Sequence, residues 1–368
     1  MGRSRDKLID VNLLVEGDSK EYEELVKKSG AGMFYHSLKY RDLLDDFMDD
    51  ARPLYLVAKR DGKIAGALPS FLKENDRLGN ILNSLPFFGS IGGVLVDGEL
   101  PGELQQEVRE KLLGGFDELA RDNGCVLSTI ITSPFDKESA FYGEMTPDFG
   151  DTRTCQIVSL PGKEDGAGEK LLSLFESSGR RNVKRALSAG VDVFPSTTAE
   201  SMGELVSIHR ENISAKGGVV KPPSFFEKIF KHFEPDEDFS IYTAKKDGAV
   251  VSALLLFYYN GVVEYFTPAT RVEFRSLQVG PLLIYSGMAD AIERGCGYWN
   301  FGGTWPTQEA LYRFKRKWGA ADYPYRYIIR KHGDIGHILD LSPAELGEEY
   351  RWFYALPHSE LKSNGSTH

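Results

Sequence analysis

Cysteine is scarce in this chain of 368 residues, which has three cysteines and no Cys-x-x-Cys pair. That count excludes a disulfide framework and argues against a structural zinc site. Long apolar runs are also missing, because the most hydrophobic stretch, Val250 to Phe257, is far shorter than the ~20 residues that cross a bilayer. No apolar segment follows the basic N-terminus, so no signal peptide is expected. These absences predict a cytoplasmic protein without an integral membrane segment.

The chain has fewer basic than acidic residues. It contains 44 Lys and Arg and 54 Asp and Glu, which gives a net charge of −10. A protein that binds nucleic acid over its whole surface is normally basic, so an RNA partner must use a local basic patch. No Ser-His-Asp or Cys-His arrangement is recognisable, and the histidines show no ligand spacing beyond a weak His332 and His337 signal that a turn explains better. We therefore expect no metal site.

The length and composition suit two domains. At roughly 150 residues per domain, and with 41% hydrophobic residues, two sizeable cores are expected. The stretch 159–168 is rich in glycine and is the best linker candidate. The predicted organisation is an N-terminal domain over 1–158, a linker over 159–170, a C-terminal domain over 171–340, and a terminal helix and tail over 341–368.

An internal repeat joins the two halves. Ala58-Lys-Arg-Asp-Gly62 matches Ala244-Lys-Lys-Asp-Gly248. In each half one residue follows the glycine, then come two apolar residues, one further residue, and Ala-Leu. Asp-Gly supplies the positive φ that a tight hairpin turn needs. Each half then continues as strand, long helix and strand, which predicts a duplicated α/β unit with mixed sheets. Chance agreement between two common hairpins is the alternative explanation.

Four ordered blocks of the second half carry a family resemblance. They are the basic stretch 180–193, the hairpin 247–256, the segment 295–303 that ends in two glycines, and the stretch 311–319 that contains Phe314-Lys315. In order and spacing these blocks resemble the FemAB-type aminoacyltransferases, a group of the GNAT superfamily. The resemblance implies an α/β fold of two tandem GNAT-like domains. The resemblance is weaker in the first half of the chain, where only the segments 34–40 and 89–93 are similar to segments of the family.

The resemblance also implies an activity, the transfer of an acyl or aminoacyl group from aminoacyl-tRNA or acyl-CoA onto a primary amine. In family members the acceptor is often a cell-envelope precursor of peptidoglycan. Two departures count against a nucleotide-linked muramyl peptide: Arg41 stands where members tend to have a lysine, and the short span from His209 to Lys231 has no room for a long helical arm. An acyl-CoA N-acyltransferase of polysaccharide biosynthesis and a non-catalytic binding protein with the same fold are the alternatives.

The donor loop matches GNAT enzymes poorly. Gln278-Val-Gly280-Pro281 has one glycine before the predicted helix, where a pyrophosphate-binding loop has several. A plain helix start explains the segment better, because proline suits the first helical turn. We expect no resident cofactor and weak binding of coenzyme A, with acyl-CoA remaining an alternative co-substrate.

The resemblance also points to site residues, each of which has a simpler structural explanation. Lys315 matches the lysine that serves the acyl donor and the developing oxyanion. We expect it on an exposed basic face, so that Lys315→Met changes the melting temperature little. Candidate substrate contacts are Lys216, Tyr265, Phe314 and Arg41, and the candidate contacts to RNA phosphates are Arg180, Arg181 and Lys184.

Overall fold

The computed structural model describes residues 8–87, 89–136, 141–144, 146–215 and 219–361. It divides into two compact units. The first comprises Met1–Arg153 together with Pro324–His368, and the second comprises Thr154–Tyr323. Within the described ranges, no helix combines the length and the apolar character needed to cross a membrane.

The chain begins with the strands and helices of the first unit. Its strands are β1 (Ile9–Leu13), β2 (Ala51–Pro53), β3 (Leu56–Arg60), β4 (Lys63–Leu68), β5 (Phe71–Lys73), β6 (Asn80–Asn83), β7 (Leu95–Val96) and β8 (Cys125–Ile131). Its helices over this stretch are α1 (Ser19–Lys28), α2 (Leu38–Phe47), α3 (Gly102–Asp122) and α4 (Phe141–Glu144).

The remaining elements build the second unit and then return to the first. The strands are β9 (Phe149–Ser159), β10 (Asp192–Pro195), β11 (Phe239–Lys246), β12 (Ala249–Tyr259), β13 (Val262–Thr270), β14 (Tyr298–Thr304) and β15 (Ala321–Lys331). The helices are α5 (Ala167–Leu174), α6 (Ser177–Ser188), α7 (Ala199–Ser214), α8 (Pro223–His232), α9 (Val279–Glu293), α10 (Glu309–Arg316), α11 (Gly336–Leu339) and α12 (Pro343–Glu349).

Strand pairing repeats from one unit to the other. The first unit has the order β1-β3-β4-β7, and the second has β10-β11-β12-β13, all antiparallel. Two helices separate the first strand of each set from the second, and a long helix, α3 or α9, follows the fourth. This matched order confirms the predicted duplication.

The two Asp-Gly hairpins agree in detail. Both turns have positive φ at both residues, 53° and 76° at Asp61 and Gly62 and 51° and 82° at Asp247 and Gly248. Both hairpins also carry a β-bulge at the matched Ala-Lys step, after Ala58 and after Ala244. Because a bulge changes the register of every later pair, its repetition at one place supports a common origin for the hairpins.

The observed units differ from the predicted boundaries after residue 323. The segment 324–340, predicted within the C-terminal domain, belongs to the first unit because Tyr327–Lys331 pair antiparallel with Leu127–Ile131 of β8. The predicted linker also begins inside a strand, since Ser159 pairs with Tyr298. Sequence patterning finds strands but does not specify their partners, and here the partner lies about two hundred residues away.

Two predicted helices are shorter than expected. Helical periodicity in the sequence predicts one helix over 171–189, but the helix breaks at Phe175 and Glu176, because the buried Phe175 ring packs against Trp318 and the Glu176 N–H donates to the Lys317 carbonyl. The same periodicity predicts a terminal helix over 341–354, and the observed helix ends at Glu349. These breaks follow tertiary contacts that helical periodicity does not reveal.

Candidate active site

Two parallel strands of the second unit separate part-way along their length. β13 and β14 pair only from Val262–Tyr298 to Glu264–Asn300, whereas β13 stays paired with β12 as far as Thr270. Beyond Glu264 and Asn300, the two strands leave a gap in the sheet. Unpaired backbone groups at such a gap are available to a ligand.

A β-bulge in β14 accompanies this separation. Asn300 pairs with Ile157 and Gly303 pairs with Cys155, so two residues of β14, Phe301 and Gly302, oppose one residue of β9. Gly302 has φ of 74°, a conformation that glycine adopts without steric cost. A bulge bends its strand, and this one bends β14 at the residue after its last pair with β13.

A buried carboxylate lies at the last pair before the gap. Glu264 is 2% exposed, and the side-chain amide of Asn300 donates to both of its carboxylate oxygens at 3.0 Å. The Asn300 oxygen in turn accepts the N–H of Gly302 at 2.8 Å. Sequence reasoning missed Glu264 because a single glutamate in an apolar strand has no motif around it.

Lys315 projects from α10 to the bulge. Its Nζ donates to the carbonyls of Gly302 and Gly303, each at 2.9 Å, and to the hydroxyl of Thr304 at 2.8 Å. The side chain is 4% exposed, so the expectation of an exposed basic face is wrong for this residue. Burial lowers the Lys315 pKa to about 8. An ammonium has three hydrogens, and all three have protein acceptors here.

A second hydrogen-bond path ties the same corner together. The Thr304 hydroxyl donates to Gln156 Oε1 at 2.9 Å, and Gln156 Nε2 donates to the Tyr312 carbonyl at 3.1 Å. The helix that carries Lys315 is thereby fixed to β9 and β14. The buried Cys155 thiol lies in the same region, where burial raises its pKa.

A pocket of about 280 Å³ opens on the α9 face of the sheet. Tyr265, Phe314 and Lys317 line it, together with Arg275, Gln278 and Gly280 at the start of α9. The Tyr265 ring packs on Trp299 and Phe301 at 5.9 and 5.1 Å, and Phe314 packs on Trp318. The two predicted substrate contacts Tyr265 and Phe314 therefore line one pocket.

The start of α9 has the features of an anion-binding site. Gln278 has φ of 62° and stands directly before the helix, and the N–H groups of Val279 and Gly280 lie in the first helical turn. Helix N-terminal N–H groups attract phosphates, and the cations Arg275 and Lys317 line the same pocket. The loop before α9 lacks the glycines of a typical phosphate-binding loop. It nevertheless has a residue in the left-handed conformation, Gln278, at a position where such loops use glycine.

The opposite face of β13 carries a different set of side chains. Glu264 pairs across the strands with Phe257, whose ring contacts Phe233 of the α8 side at 5.1 Å. Directly paired residues share a face of a sheet, so the carboxylate and the α9 pocket lie on opposite faces. On the α8 side, Lys221 lies 3.9 Å from the centre of the Phe266 ring, and burial lowers its pKa to about 7.

The other predicted site residues are dispersed. Lys216 lies outside the described residues. Arg41 belongs to α2 of the first unit, where its guanidinium pairs with Asp42 at 2.7 Å. On α6, Arg180 is half-buried and donates to the Phe175 carbonyl, whereas Arg181 and Lys184 are exposed. In the parts of the chain that the structure describes, no group of three or more His, Cys, Asp or Glu could hold a metal ion.

Comparison with known proteins agrees with this geometry. Residues 176–325 match the family model for an acetyltransferase (GNAT) domain, and that range contains β13, β14, the pocket and Lys315. A comparison with curated proteins finds no match.

Solved structures share the fold at low sequence identity. FemX superposes with a TM-score of 0.68 at 16% identity, over 87% of this chain and 97% of that chain. A tandem GNAT protein from the clavulanic acid biosynthesis pathway gives 0.52 at 12% identity, over 89% and 99%. The C-terminal domain of a protein assigned as a lysylphosphatidylglycerol synthetase in Agrobacterium fabrum gives 0.54 at 14%, over 88% and 95%.

The matched segment, residues 176–325, is a domain of the acetyltransferase (GNAT) type, and the chain shares the fold of a tandem GNAT protein. The likeness to FemX is likewise a likeness of fold. All four ordered blocks of the second half lie within residues 176–325, so their resemblance to the GNAT superfamily is confirmed.

Proposed function

We propose that the second unit transfers an acyl group from an activated donor onto a primary amine, with Glu264 as the proton acceptor. The observation that carries this proposal is the separation of β13 from β14 at the Glu264–Asn300 pair, with a pocket on one face and a buried carboxylate on the other. A donor carbonyl that enters through the gap from the α9 pocket would meet an amine approaching from the carboxylate face.

The donor binds in the α9 pocket through its phosphates. Arg275, Lys317 and the N–H groups of Val279 and Gly280 supply the positive potential, and Tyr265 and Phe314 supply apolar surface. An acyl-CoA and an aminoacyl-tRNA both present an acyl ester or thioester on a phosphorylated carrier. The pocket chemistry suits either carrier, and the experiment below separates them.

The reaction forms one C–N bond and breaks one C–S or C–O bond. The amine nitrogen attacks the acyl carbonyl carbon, and Glu264 takes the proton that the nitrogen loses. The leaving thiolate or ribose alkoxide takes a proton when the tetrahedral intermediate collapses. Tyr265 is the candidate donor of that proton, because burial raises its pKa and keeps the hydroxyl protonated at neutral pH.

The acceptor is an amine of a cell-envelope precursor or a related small molecule. Lys221 and the aromatic surface of Phe266 lie on the same face of β13 as Glu264. A partly buried cation on an aromatic ring favours an acceptor that carries an acidic group beside its amine.

The test is a transfer assay with two donors and one carboxylate variant. Purified protein is mixed with labelled acetyl-CoA or labelled aminoacyl-tRNA and a panel of amines, and the label on the amine is counted. Glu264→Gln should lower kcat at least a hundredfold with either productive donor, because the amide keeps the shape and cannot accept the proton. Glu227→Gln, an exposed change on α8, is the matched control and should retain activity. Equal activity of both variants would remove Glu264 from the mechanism.

A further inference from the structure

An unbroken series of contacts joins Lys315 to Glu264. Lys315 Nζ holds the Gly302 carbonyl at 2.9 Å, and the Gly302 N–H donates to Asn300 Oδ1 at 2.8 Å. Asn300 Nδ2 then donates to both Glu264 oxygens at 3.0 Å. Only one orientation of the Asn300 amide serves both neighbours, because its reversal would set Oδ1 against the carboxylate. The position of the carboxylate therefore depends on the backbone at Gly302.

The bulge at Phe301-Gly302 needs support from outside the sheet. Phe301 and Gly302 share one position of β9, so Gly302 has no cross-strand pair of its own in the strand ladder. A carbonyl shielded from water that lacks a donor is costly, and the Lys315 ammonium supplies donors to the part-buried carbonyls of both Gly302 and Gly303. Without that ammonium, the backbone at Gly302 is no longer held in place, and the Gly302 N–H no longer fixes the Asn300 side chain.

We propose that Lys315 is a positioning residue, which holds the bulge of β14 and through it fixes Asn300 and the proton acceptor Glu264. The role of Glu264 in this statement rests on the proposed function, whereas the linkage itself is a property of the fold. This assignment differs from the one that the family resemblance implies. A lysine whose three hydrogens are held by Gly302, Gly303 and Thr304 has none to offer a developing oxyanion.

Several titratable groups lie on the elements around Glu264. Cys155 of β9 stays a thiol because burial raises its pKa, and Lys315 of α10 has its pKa lowered to about 8. On the α7 and α8 side, burial lowers the pKa of His209 to about 4 and that of Lys221 to about 7. Loss of the Asn300 donor or of the Lys315 charge disfavours the carboxylate form of Glu264. Either loss therefore moves the acidic limb of the pH–rate profile to higher pH.

A double-mutant cycle separates positioning from direct contact with the reacting carbonyl. Lys315→Met and Asn300→Ala should each lower kcat at least tenfold, leave the donor KM within threefold, and move the acidic limb to higher pH. The double variant should be no more than about threefold worse than the worse single variant, because both changes break one path. Losses that multiply, or an unmoved acidic limb in Lys315→Met, would overturn the proposal. Arg313→Met removes an exposed charge of the same helix, outside the pocket, and is the control that should leave that limb in place.

If Lys315→Met fails to fold, Gly302→Ala replaces it in the double-mutant cycle with Asn300→Ala. A Cβ at this position meets no atom within 4 Å, so the change acts only through the positive φ and keeps the Lys315 charge. Gly302→Ala should lower kcat and move the acidic limb of the pH–rate profile to higher pH, as Lys315→Met does. An unchanged acidic limb would contradict the linkage between the bulge and Glu264.

Hydrogen exchange tests the linkage without any substrate. In Lys315→Met or Gly302→Ala, the backbone amide at position 302 should exchange at least tenfold faster than in the parent protein, while amides of the Asp61-Gly62 hairpin should not change. Unchanged protection of the amide at position 302 in both variants would refute the linkage. Absence of turnover by the parent protein with both donors would instead refute the proposed function.

Discussion

Glu264 and Asn300 are the last cross-strand pair between β13 and β14, and the Asn300 amide lies 3.0 Å from both carboxylate oxygens. The two residues come from strands that the chain separates by α9. Their contact marks the point where the sheet opens, and it places a buried carboxylate beside the opening. The proposed chemistry depends on this one pair, and the following predictions test the structure around it.

Lys315→Met should destabilise the protein. The two part-buried carbonyls and the buried Thr304 hydroxyl lose their donor, and a fully buried group left unsatisfied costs roughly 1–3 kcal/mol. We expect the free energy of unfolding, measured in urea, to fall by at least ~2 kcal/mol. Lys317→Met, at a half-buried lysine on the same helix end, should cost less than ~1 kcal/mol. Equal losses would show that the three contacts of Lys315 contribute nothing specific.

Gln278→Gly should stabilise the loop before α9 and improve donor binding. Gln278 has φ of 62°, where a side chain costs roughly 1–2 kcal/mol and glycine costs little. Glycine also lets the backbone N–H groups approach a phosphate more closely. We expect a higher melting temperature and at least threefold tighter binding of acetyl-CoA by calorimetry.

Asn260→Gly is the control for that change, because Asn260 also has a positive φ, of 49°, but lies in the β12–β13 turn. It should leave acetyl-CoA binding unchanged. Tightening in both variants would assign the gain to general stability rather than to the donor loop.

Acidification should destabilise the protein through His36. This histidine is fully buried, its Nδ1 accepts the Met33 N–H, and burial lowers its pKa from 6.5 to about 4. As the pH falls below about 6.5, the unfolded chain takes up a proton and the folded chain does not, so stability falls until about pH 4. The linkage is worth up to about 3 kcal/mol over that window.

Urea unfolding of the parent protein and of His36→Gln at pH 7 and pH 5 measures this contribution. The variant should lose less stability than the parent between the two pH values, although His209, whose pKa is also lowered to about 4, keeps part of the effect. His358→Gln, at an exposed position, should behave as the parent does. An identical pH dependence in all three proteins would contradict the assignment.

Reversal of the charge on the exposed face of α6 tests whether the donor is RNA. We expect Arg181→Glu combined with Lys184→Glu to weaken aminoacyl-tRNA binding at least tenfold at low salt and to flatten its salt dependence, because phosphate contacts release counterions. Binding of acetyl-CoA should stay within twofold. Unchanged binding of both donors would show that Arg181 and Lys184 contact no donor and are ordinary solvent-exposed side chains.

Local sequence signals predicted the repeated parts of this fold. The two Asp-Gly turns adopt the positive φ values that a tight hairpin requires. The sequence pattern predicts helices over 38–48, 225–232 and 280–294, and the observed helices cover 38–47, 223–232 and 279–293. Turn chemistry and helical periodicity act over a few residues, so one sequence is enough to detect them.

Single-sequence reasoning was less complete at the site. The resemblance selected Tyr265, Phe314 and Lys315, which the structure places at the α9 pocket and the bulge. It did not select Glu264, Asn300, Arg275 or Lys317. These residues come from different strands and helices that the fold brings together. Their spacing along the sequence gives no sign that they are close in space.

The sequence by itself determined the duplication, the class of fold and the resemblance of the second half to a GNAT domain. Each of these depends on an order of local patterns along the chain, which survives without knowledge of contacts. Only the tertiary structure decided that Lys315 is buried rather than exposed, that β15 joins the first unit from Pro324 onward, and that a carboxylate lies at the opening of the sheet. Burial and strand partnership depend on residues distant in the sequence, because a side chain is desolvated by whatever the fold packs against it.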